Sequence, residues 1–480
     1  MSVTLNRVRR GFYADSVALM RISRGVSSLA GVEEASLMIG TPANRDLLEG
    51  SRLIDTEGRK ARADDLVIAV RARDAIAAHA ALDAAEKMLA GGQAVPQGGV
   101  TTVRGFDSAI AALPGANLAL ISVPGDFAAA EARRALERGL HVMIFSDNVP
   151  VADEIRLKRL ALDKGLLLMG PDCGTALIDS APIAFANVVP RGDVGLISAS
   201  GTGLQEVSSL LARAGRGVSH GIGVGGRDLS EEVGGLMTLA AFDALEADPA
   251  TRHIVIISKP PGAGVAAKID ARVARSAKPV TLCLLGRGGT TLTSAVEQVL
   301  GHPLAAGAPA RLPAARKGWL RGLYSGGTLC NEAQIVLMGA GLAVKSNVPV
   351  PGAGETAALE AGAHTLIDLG DDEYTRGRPH PMIDPEPRNE LLAKTLADPA
   401  VAVVLLDVVI GYGAHADPAG LIAAVVESAA ATRPAVVASI TGTDADPQGY
   451  SRQAARLAAA GVFVASSNAR AAALAARVVS

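Results

Sequence analysis

Short apolar runs alternate with amphipathic stretches along almost the whole chain. The apolar runs, among them 193–198, 253–258 and 401–412, have the length of buried strands and are too short to be typical of membrane spans. The stretches between them have helical spacing, and several end on a glycine that can cap a helix. This alternation predicts an α/β protein whose parallel, doubly wound sheets are covered by helices.

The pattern divides the 480 residues into four predicted domains. The first is a small α+β domain, in which Asp15 and Asp74 are predicted N-caps. Gly-rich residues 90–100 and Pro/Ala-rich residues 302–318 have the composition of linkers. The predicted domains are 1–98, 99–190, 191–301 and 319–480.

Composition and charge narrow the range of partners. Apolar residues make up 49% of the chain, charged residues 20%, and the net charge is -2. This balance excludes a disordered tail and provides no electrostatic basis for binding nucleic acid or a membrane surface. Aromatic residues are only 3% of the chain, which is too few for base-stacking platforms. We therefore expect neither nucleic acid nor membrane among the partners.

The cysteines and the N-terminus indicate the cellular compartment of the protein. Cys173, Cys283 and Cys330 form no CxxC pair and no even disulfide framework, which fits a reducing environment. The first sixteen residues lack the apolar core of a signal peptide. We therefore expect a cytoplasmic protein.

The clearest chemical motif is a turn of small residues between a buried strand and a helix. Backbone N–H groups at a helix start are unpaired and carry the positive end of the helix dipole, so they attract an anion. Small residues let a phosphate approach the backbone, and hydroxyl groups donate to its oxygens. The alternative is an ordinary capped turn. The candidate phosphate-binding residues are Ser198, Ser200, Gly201, Thr202 and Gly203.

A second turn follows the same pattern near the start of the last domain. It lies between the strand RGLY and the helix that begins at TLCNEAQ. Taken alone it is a weaker indication of a phosphate site, because Gly-rich strand-to-helix turns are common in such folds. Its candidate residues are Ser325, Gly326, Gly327 and Thr328.

Asp172 and Cys173 follow an apolar strand at the carboxyl edge of a predicted sheet, where open α/β proteins place ligands. Asp172 is a candidate base or a residue that orients a substrate amide. Cys173 is a candidate nucleophile if its pKa is lowered. The alternatives are a turn cap for Asp172 and a small buried side chain for Cys173, which has no His or Lys beside it in sequence.

Two cations follow Gly-rich or Pro-rich strand ends. Arg227 lies in GIGVGGRDLSEEVGG, and Lys259 lies in ISKPPGAG. Both are candidates for neutralising an anionic substrate. The alternative is a structural ion pair with Glu231 or Glu232.

The polar tract 368–390 is rich in proline and charge. It contains potential metal ligands but no tight ligand spacing such as HExxH. We therefore predict no metal, and interpret the tract as a substrate-lining or subunit-contact loop. The ligands considered are Asp371, Asp372, Glu373, His380 and Asp384.

Taken in order, these motifs resemble the α subunit of succinyl-CoA synthetase followed by the C-terminal domain of its β subunit. Residues 121–155 resemble the later half of the synthetase CoA-binding domain, and GPDCGT at 170–175 stands where synthetases have G-P-N-C-P-G. The loop VGLISASGTG at 194–203 and the strand end GIGVGG at 221–226 have counterparts in the α subunit. Residues 397–415 resemble a β-subunit segment.

A further resemblance spans essentially the whole chain. With GPDCGT, the motifs GGRDLSEEVGG, RGLYSGGTLC and DLGDDEYTRGRPHPMIDP are similar to those of the FdrA family. This resemblance implies Rossmann- and flavodoxin-like sheets of the succinyl-CoA synthetase type. The implied domains are CoA-binding-like at 99–190, α-ligase-like at 191–301 and β-C-terminal-like at 319–480.

The sequence also departs from the synthetases. They carry a G-H-A-G-A motif whose histidine is phosphorylated, whereas the corresponding stretch 286–302 has no such histidine. A synthetase glutamate that contacts the phosphohistidine is replaced near Lys259. The first domain lacks the early Gly-rich loop of a complete CoA-binding domain, and no segment of the sequence resembles an ATP-grasp domain.

These departures favour one activity found in the FdrA family. The family includes a subunit of oxamate carbamoyltransferase, which acts in anaerobic allantoin breakdown, and that chemistry needs neither a phosphate carrier nor a nucleotide site. We therefore expect a carbamoyltransferase subunit that converts oxalurate and phosphate into oxamate and carbamoyl phosphate, or acts on a related N-carbamoyl amide. The first turn would hold phosphate, Lys259 and Arg227 would neutralise charge, and Asp172 would lie near the amide. No cofactor beyond the substrate phosphate is expected.

Two alternatives remain open at this point. One is an acyl-CoA synthetase subunit that uses CoA and ATP with a partner chain, and the other is a non-catalytic scaffold. In each case we expect association with other subunits, or a homodimer, and in the enzymatic cases a small anionic substrate.

Overall fold

The computed structural model describes residues 2–12, 14, 16–91, 103, 105–305, 313–375 and 379–479. They form two units, the first from the described residues of 1–112 and 372–379 and the second from those of 113–371 and 380–480. The predicted N-cap Asp15 and, within the two predicted linkers, residues 92–100 and 306–312 lie outside the described part of the chain.

The first unit is a small α+β fold. Its elements before residue 113 are β1 (Val3–Arg9), α1 (Ser16–Ser27), β2 (Val32–Ile39), α2 (Pro42–Gly50), β3 (Leu66–Ala72), α3 (Ala75–Gly91) and α4 (Phe106–Ala112). The strands form an antiparallel sheet in the order β1-β3-β2. Leu66, Ile68 and Val70 of β3 pack with α1 and α3, whereas Val67 packs with Leu48 of α2. Asp74 Oδ1 accepts the N–H of Ala77 at 2.8 Å, which confirms the predicted N-cap of α3.

The second unit begins with a three-stranded parallel sheet in the order β4-β5-β6. Helices α5 and α6 pack against each other beside it. Each helix follows its strand as the alternating pattern predicts. The elements are β4 (Leu118–Ile121), α5 (Gly125–Glu137), β5 (His141–Ile144), α6 (Val151–Asp163) and β6 (Leu168–Met169).

A six-stranded sheet follows along the chain. Its elements are β7 (Thr175–Ile178), β8 (Ala181–Ala184), β9 (Arg191–Ser198), α7 (Gly201–Arg213), β10 (Val218–Gly223), α8 (Leu236–Ala247), β11 (His253–Ser258), α9 (Ala263–Val273), β12 (Val280–Leu284) and α10 (Leu292–Leu300). The order is β12-β11-β9-β10-β7-β8, and the four strands from β9 to β12 are parallel. The sequence did not predict the antiparallel hairpin β7–β8, whose strands are short and whose turn places Asp179 and Ser180 at positive φ.

The last sheet is parallel and seven-stranded, in the order β15-β14-β16-β13-β17-β18-β19. All nine residues of β17 are buried, because neighbouring strands and helices cover both faces. In chain order the elements are β13 (Trp319–Tyr324), α11 (Gly327–Gly339), β14 (Val344–Ser346), β15 (Gly354–Glu355), β16 (His364–Asp368), α12 (Asp372–Thr375, part of the first unit), α13 (Glu386–Ala397), β17 (Val401–Val409), α14 (Pro418–Ser428), β18 (Ala435–Thr441), α15 (Tyr450–Ala459), β19 (Phe463–Ala465) and α16 (Asn468–Val479).

One apolar core joins the six- and seven-stranded sheets. It contains Leu204 and Val207 of α7, Leu329 and Ala333 of α11, and Ala472 of α16. Because these helices pack against each other, the mutual position of α7 and α11 is fixed by burial. The predicted fold class, parallel α/β sheets with a small N-terminal α+β domain, is confirmed.

The four predicted domain boundaries stay predictions. None of the helices in the described part of the chain is both long and apolar enough to cross a membrane.

Candidate functional site

The first turn joins β9 to α7 and is held by its own hydroxyl groups. Ser200 is the N-cap of α7, and its Oγ accepts the N–H of Gly203 at 2.9 Å. Ser198 Oγ accepts the N–H of Ser200 at 3.0 Å and donates to the carbonyl of Ser200 at 2.6 Å. These bonds fix a turn whose next residues, Gly201 and Thr202, open the helix. N–H groups in a first helical turn have no partner within the helix, so they are the donors that a ligand would meet.

The second turn joins β13 to α11 and is held by distant residues. The Asp407 carboxylate accepts the N–H groups of Ser325 and Gly326, each at 2.8 Å. Arg388 Nη1 donates to Ser325 Oγ at 2.7 Å and to the carbonyl of Asp407 at 2.8 Å. Burial raises the pKa of Asp407, and the Arg388 guanidinium opposes this effect. The N–H groups of Ser325 and Gly326 are thus occupied, and the first helical turn of α11 begins at the next residue, Gly327.

The two turns meet. Ser200 Oγ and Thr328 Oγ1 are 2.5 Å apart and share a hydrogen bond. A Cβ atom on Gly326 would lie 2.8 Å from Cγ2 of Thr202, so only glycine lets the turns approach this closely. The N-termini of α7 and α11, which come from different sheets, therefore open side by side. The sequence predicted each turn separately but not their contact.

Lys259 and Asp368 flank the start of α11. A Cβ atom on Gly327 would lie 2.6 Å from Asp368 Oδ2 and 3.8 Å from Lys259 Nζ. Lys259 follows β11 and is exposed, whereas Asp368 ends β16 and is buried. Burial raises the pKa of Asp368 to about 7, and Lys259 is among the groups that oppose the shift. The structure therefore places Lys259 beside the second turn, next to an acid that the sequence did not select as an anion ligand.

A small pocket opens beside the start of α7. It brings GPDCGT against the first turn. A Cβ atom on Gly201 would lie 3.0 Å from Thr175 Oγ1, which shows how closely the two segments approach. Asp172 is exposed in this pocket. The lining residues are Asp172, Cys173, Gly174, Thr175, Ser198, Ala199, Ser200, Gly201, Gly223 and Gly225.

Cys173 lies at the buried side of this pocket. Its thiol is 3.4 Å from the carbonyl oxygen of Gly223 and is 3% exposed. Burial raises the pKa of Cys173 to about 12, so the thiol stays protonated at neutral pH. A protonated thiol is a poor nucleophile. These features favour the alternative interpretation of Cys173 as a small buried side chain.

Arg227 is held in an ion pair. Its Nη2 is 3.0 Å from Glu154 Oε2 and donates to the carbonyl of Val149 at 2.7 Å. The partner is Glu154 instead of Glu231 or Glu232, the two that the sequence suggested. Glu231 accepts the N–H of Gly264 at 2.6 Å. Arg227 therefore has a structural partner and is not among the residues that line the pocket.

The tract 368–390 contributes two buried residues to the second turn, Asp368 at one end and Arg388 near the other. Between them, burial lowers the pKa of His380 to about 4, so its imidazole is neutral at neutral pH. No group of three potential ligands arranged for a metal was found among the described residues. Residues 376–378 of the tract lie outside them.

Two buried glutamates lie behind the turns, one turn along each helix. Glu206 of α7 accepts a bond from Thr441 Oγ1 at 2.5 Å, and Glu332 of α11 accepts the N–H of Leu292 at 2.6 Å. Asn468 Nδ2 also donates to Glu332, at 2.7 Å. Burial, reinforced by Glu206, raises the pKa of Glu332 to about 7. A signal for both was present in the sequence, since an acidic residue stands within the apolar face of each helix.

Two family models match the chain. Residues 323–478 match the CoA-ligase family, and residues 1–103 match "AllF, heavy metal-associated domain". Residues 1–103 contain no cysteine and a single histidine, His79. Heavy metals favour soft thiolate ligands. The residues present therefore do not fit a heavy metal.

The chain is similar to several known proteins. It is 41% identical to YahF of Escherichia coli, an uncharacterized protein, over 96% of both chains. It is 29% identical to the ADP-forming sulfoacetate-CoA ligase subunit SauD of Bilophila wadsworthia over 36% of this chain and 60% of that one. It is 31% identical to the succinate–CoA ligase α subunit of Aquifex aeolicus over 30% of this chain and 48% of the relative. The chain thus spans about half to three fifths of these two ligase subunits.

Among solved structures, an ATP citrate lyase from Methanothrix soehngenii in complex with citrate and coenzyme A matches 38% of this chain and 31% of its own. The TM-score is 0.34 and the identity is 20%. A likeness at this TM-score supports no conclusion about activity.

The predicted carbamoyltransferase activity is wrong. The family model over 323–478 and the relatives with assigned activities are those of CoA ligases. The prediction rested on the missing histidine and the missing nucleotide site, but acyl phosphates occur in both chemistries, so a phosphate-binding turn does not distinguish them. These departures were therefore weaker evidence than the match to the CoA-ligase family.

Proposed function

We propose that this chain, which belongs to the family of the Escherichia coli protein YahF, is a subunit of an acid–thiol ligase. In this proposal it binds a small acid and CoA, and it handles ATP or ADP with a partner chain. The assignment to a ligase is supported by the match to the CoA-ligase family and by the two relatives named above, which are ligase subunits.

The observation that carries the proposal is the meeting of the two turns, where Ser200 Oγ and Thr328 Oγ1 are 2.5 Å apart. Two helix N-termini that open at one point add their positive dipole ends, and each offers free N–H donors to an anion. Lys259 supplies a full positive charge beside the second turn. A phosphoryl group held there would be stabilised as charge develops on its oxygens.

The proposed reaction passes through an acyl phosphate. An oxygen of hydrogen phosphate attacks the thioester carbon, the C–S bond breaks, and the CoA thiolate leaves with the proton that the phosphate gives up. The acyl phosphate then gives its phosphoryl group to ADP on the partner chain, which releases the acid and forms ATP. The reverse sequence makes the thioester.

The segment between β12 and α10 bears on how phosphate is carried. It is the seven-residue stretch LGRGGTT, which contains no histidine. Glu332 accepts the N–H groups of Leu292 and Thr293 at the start of α10, which ties this segment to α11. We therefore assign phosphate to the turns as a free ion or acyl phosphate. The acyl group would lie in the adjoining pocket, near Asp172 and Thr175.

Phosphate-dependent release of CoA thiol from a panel of acyl-CoA esters tests the proposal. The assay uses the chain purified with its natural partner chains. We expect release that requires phosphate, and loss of at least about tenfold of it in Gly201→Asp, because a carboxylate then occupies the anion position. Gly115→Asp adds the same charge at a glycine with open space around it and should retain activity. Absence of both CoA binding and thiol release at millimolar CoA would refute the proposal.

A further inference from the structure

Asp368 is a buried acid whose carboxyl is held in one orientation. Its N–H donates to Asn347 Oδ1 at 2.8 Å, and its carbonyl accepts from Asn347 Nδ2 at 2.9 Å. Carboxylate Oδ1 accepts the N–H of Gly370 at 3.0 Å. Asn347 therefore holds the backbone of Asp368 and Gly370 holds its carboxylate, whose other oxygen, Oδ2, would lie 2.6 Å from a Cβ on Gly327, the first residue of α11.

The charged groups around this carboxyl have opposing effects. Lys259 after β11 favours the ionised form, whereas Asp407 on β17 and Asp371 on the following loop disfavour it. Arg388 of α13 is bound to Asp407 and offsets that charge. His380 Nε2 would lie 2.5 Å from a Cβ on Gly370, and Asp368 Oδ1 3.2 Å from the same Cβ.

His380 does not change the charge around Asp368 at neutral pH, because burial lowers its pKa to about 4. Burial is the largest effect on Asp368, and it raises the pKa of this carboxyl to about 7.

A carboxylate at this place conflicts with an anion site. It would stand beside the same helix start that we assign to phosphate, and like charges repel strongly where water is excluded. A protonated carboxyl has the opposite effect, because its O–H is a hydrogen-bond donor to a phosphate oxygen. The protonation state of one residue thus decides whether the site attracts or rejects a tetrahedral anion.

We infer that Asp368 is a binding residue that controls occupancy of the anion site by its own proton. Protonated, it donates a hydrogen bond to an oxygen of the phosphate or acyl phosphate held between α7 and α11; ionised, it expels that anion. Release of an anionic product is then linked to loss of one proton from Asp368. The inference rests on the proposed phosphate position, and it adds Asp368 as a protein residue that must carry a proton to bind the phosphate.

Sulfate is the appropriate probe, because it is a tetrahedral dianion that does not titrate between pH 6 and 9, roughly the range in which phosphate itself does. Calorimetric titration of the full chain with sulfate should show an affinity that falls by about tenfold per pH unit above about pH 7. At pH 8, titrations in two buffers of different ionisation enthalpy should show proton uptake on binding. That measurement needs no variant.

Asp368→Asn is the informative substitution. The amide keeps an acceptor for Gly370 and a donor for the anion, so sulfate should still bind and its affinity should lose the dependence on pH. Glu355→Gln removes an exposed acid from β15 and should leave the slope unchanged. Glu332→Gln removes the other nearby acid whose pKa is about 7, and the slope should remain in it too.

The outcomes separate the two proposals. The role of Asp368 is refuted if the sulfate affinity of Asp368→Asn depends on pH as strongly as that of the natural chain, or if the natural chain binds sulfate without proton uptake. Either result would still support the anion site. No sulfate or phosphate binding at any pH, with Gly201→Asp indistinguishable from the natural chain, refutes the anion site and this inference with it.

Discussion

The two turns at the candidate site have the same sequence pattern but are held in different ways. In the first, Ser198 and Ser200 bond to backbone groups within three residues of themselves. In the second, Asp407 and Arg388 reach the backbone and side chain of Ser325 from more than sixty residues away. The first turn is therefore encoded locally, and the second exists only when the seven-stranded sheet has formed.

Removal of Asp407 should have the largest effect. Asp407→Ala leaves the buried Arg388 without its counter-charge and two backbone N–H groups without an acceptor. Loss of one partner from a buried pair costs about 3–5 kcal/mol in free energy of unfolding. The single tryptophan, Trp319, opens β13 and reports on this sheet in chemical denaturation.

Two variants calibrate that result. Glu390→Ala removes an exposed acid from α13 and should change the free energy of unfolding by less than about 0.5 kcal/mol. Ser200→Ala removes the N-cap of the first turn and should cost about 1 kcal/mol. If Asp407→Ala cost no more than Ser200→Ala, the two turns would not differ in the way described.

The fold could be predicted from the sequence because its signals are local. The main strands and helices were predicted from the spacing of apolar residues, from the apolar runs and from the positions of glycines. The hairpin β7–β8 was missed because no helix separates its two strands, so it departs from the strand–helix alternation on which the prediction rested. The short strands β14 and β15 were missed for the same reason, since no helix lies between them.

The candidate site was predictable only in part. The first turn and Lys259 were selected because their neighbours in sequence carry the signal. Asp407 lies in an apolar run that reads simply as a buried strand, and nothing near it indicates that its carboxylate caps a turn from β13. Arg227 was selected from its sequence neighbours, but its partner Glu154 comes from α6. Long-range partners are decided by packing, which local patterns do not encode.

The contact between the turns can be broken sterically. Gly326→Ala places a methyl group 2.8 Å from Cγ2 of Thr202, so the turns must separate. Overpacking of this kind costs about 1–3 kcal/mol in stability, and we expect anion binding to weaken at the same time. Calorimetric unfolding and sulfate titration measure the two effects.

A compensating change tests whether that contact is the cause. Thr202→Ser removes Cγ2, the nearest atom, but leaves the hydroxyl and Cβ of this residue 3.0 Å and 3.1 Å from the added methyl group. The double variant Gly326→Ala with Thr202→Ser should therefore recover part of the stability and affinity. Equal losses in the single and double variants would show that Gly326 is needed for its backbone instead of for the close approach.

The smallest predicted effect concerns Glu332, which links the second turn to α10 and α16. Its pKa is raised in the folded chain to about 7 from an ordinary value near 4.5, so the folded state binds a proton more tightly than the unfolded state. The stabilisation from this group is present at low pH and is lost as the pH rises from about 4.5 through about 7. Glu332→Gln should therefore make the decline in melting temperature between pH 5 and pH 8 shallower.

Glu427→Gln is the control, at an exposed acid whose pKa is lowered by Arg456, and it should leave that decline unchanged. An unaltered decline in Glu332→Gln would show that other buried acids with raised pKa values, such as Glu206 on the first helix and Asp368, cause the loss of stability.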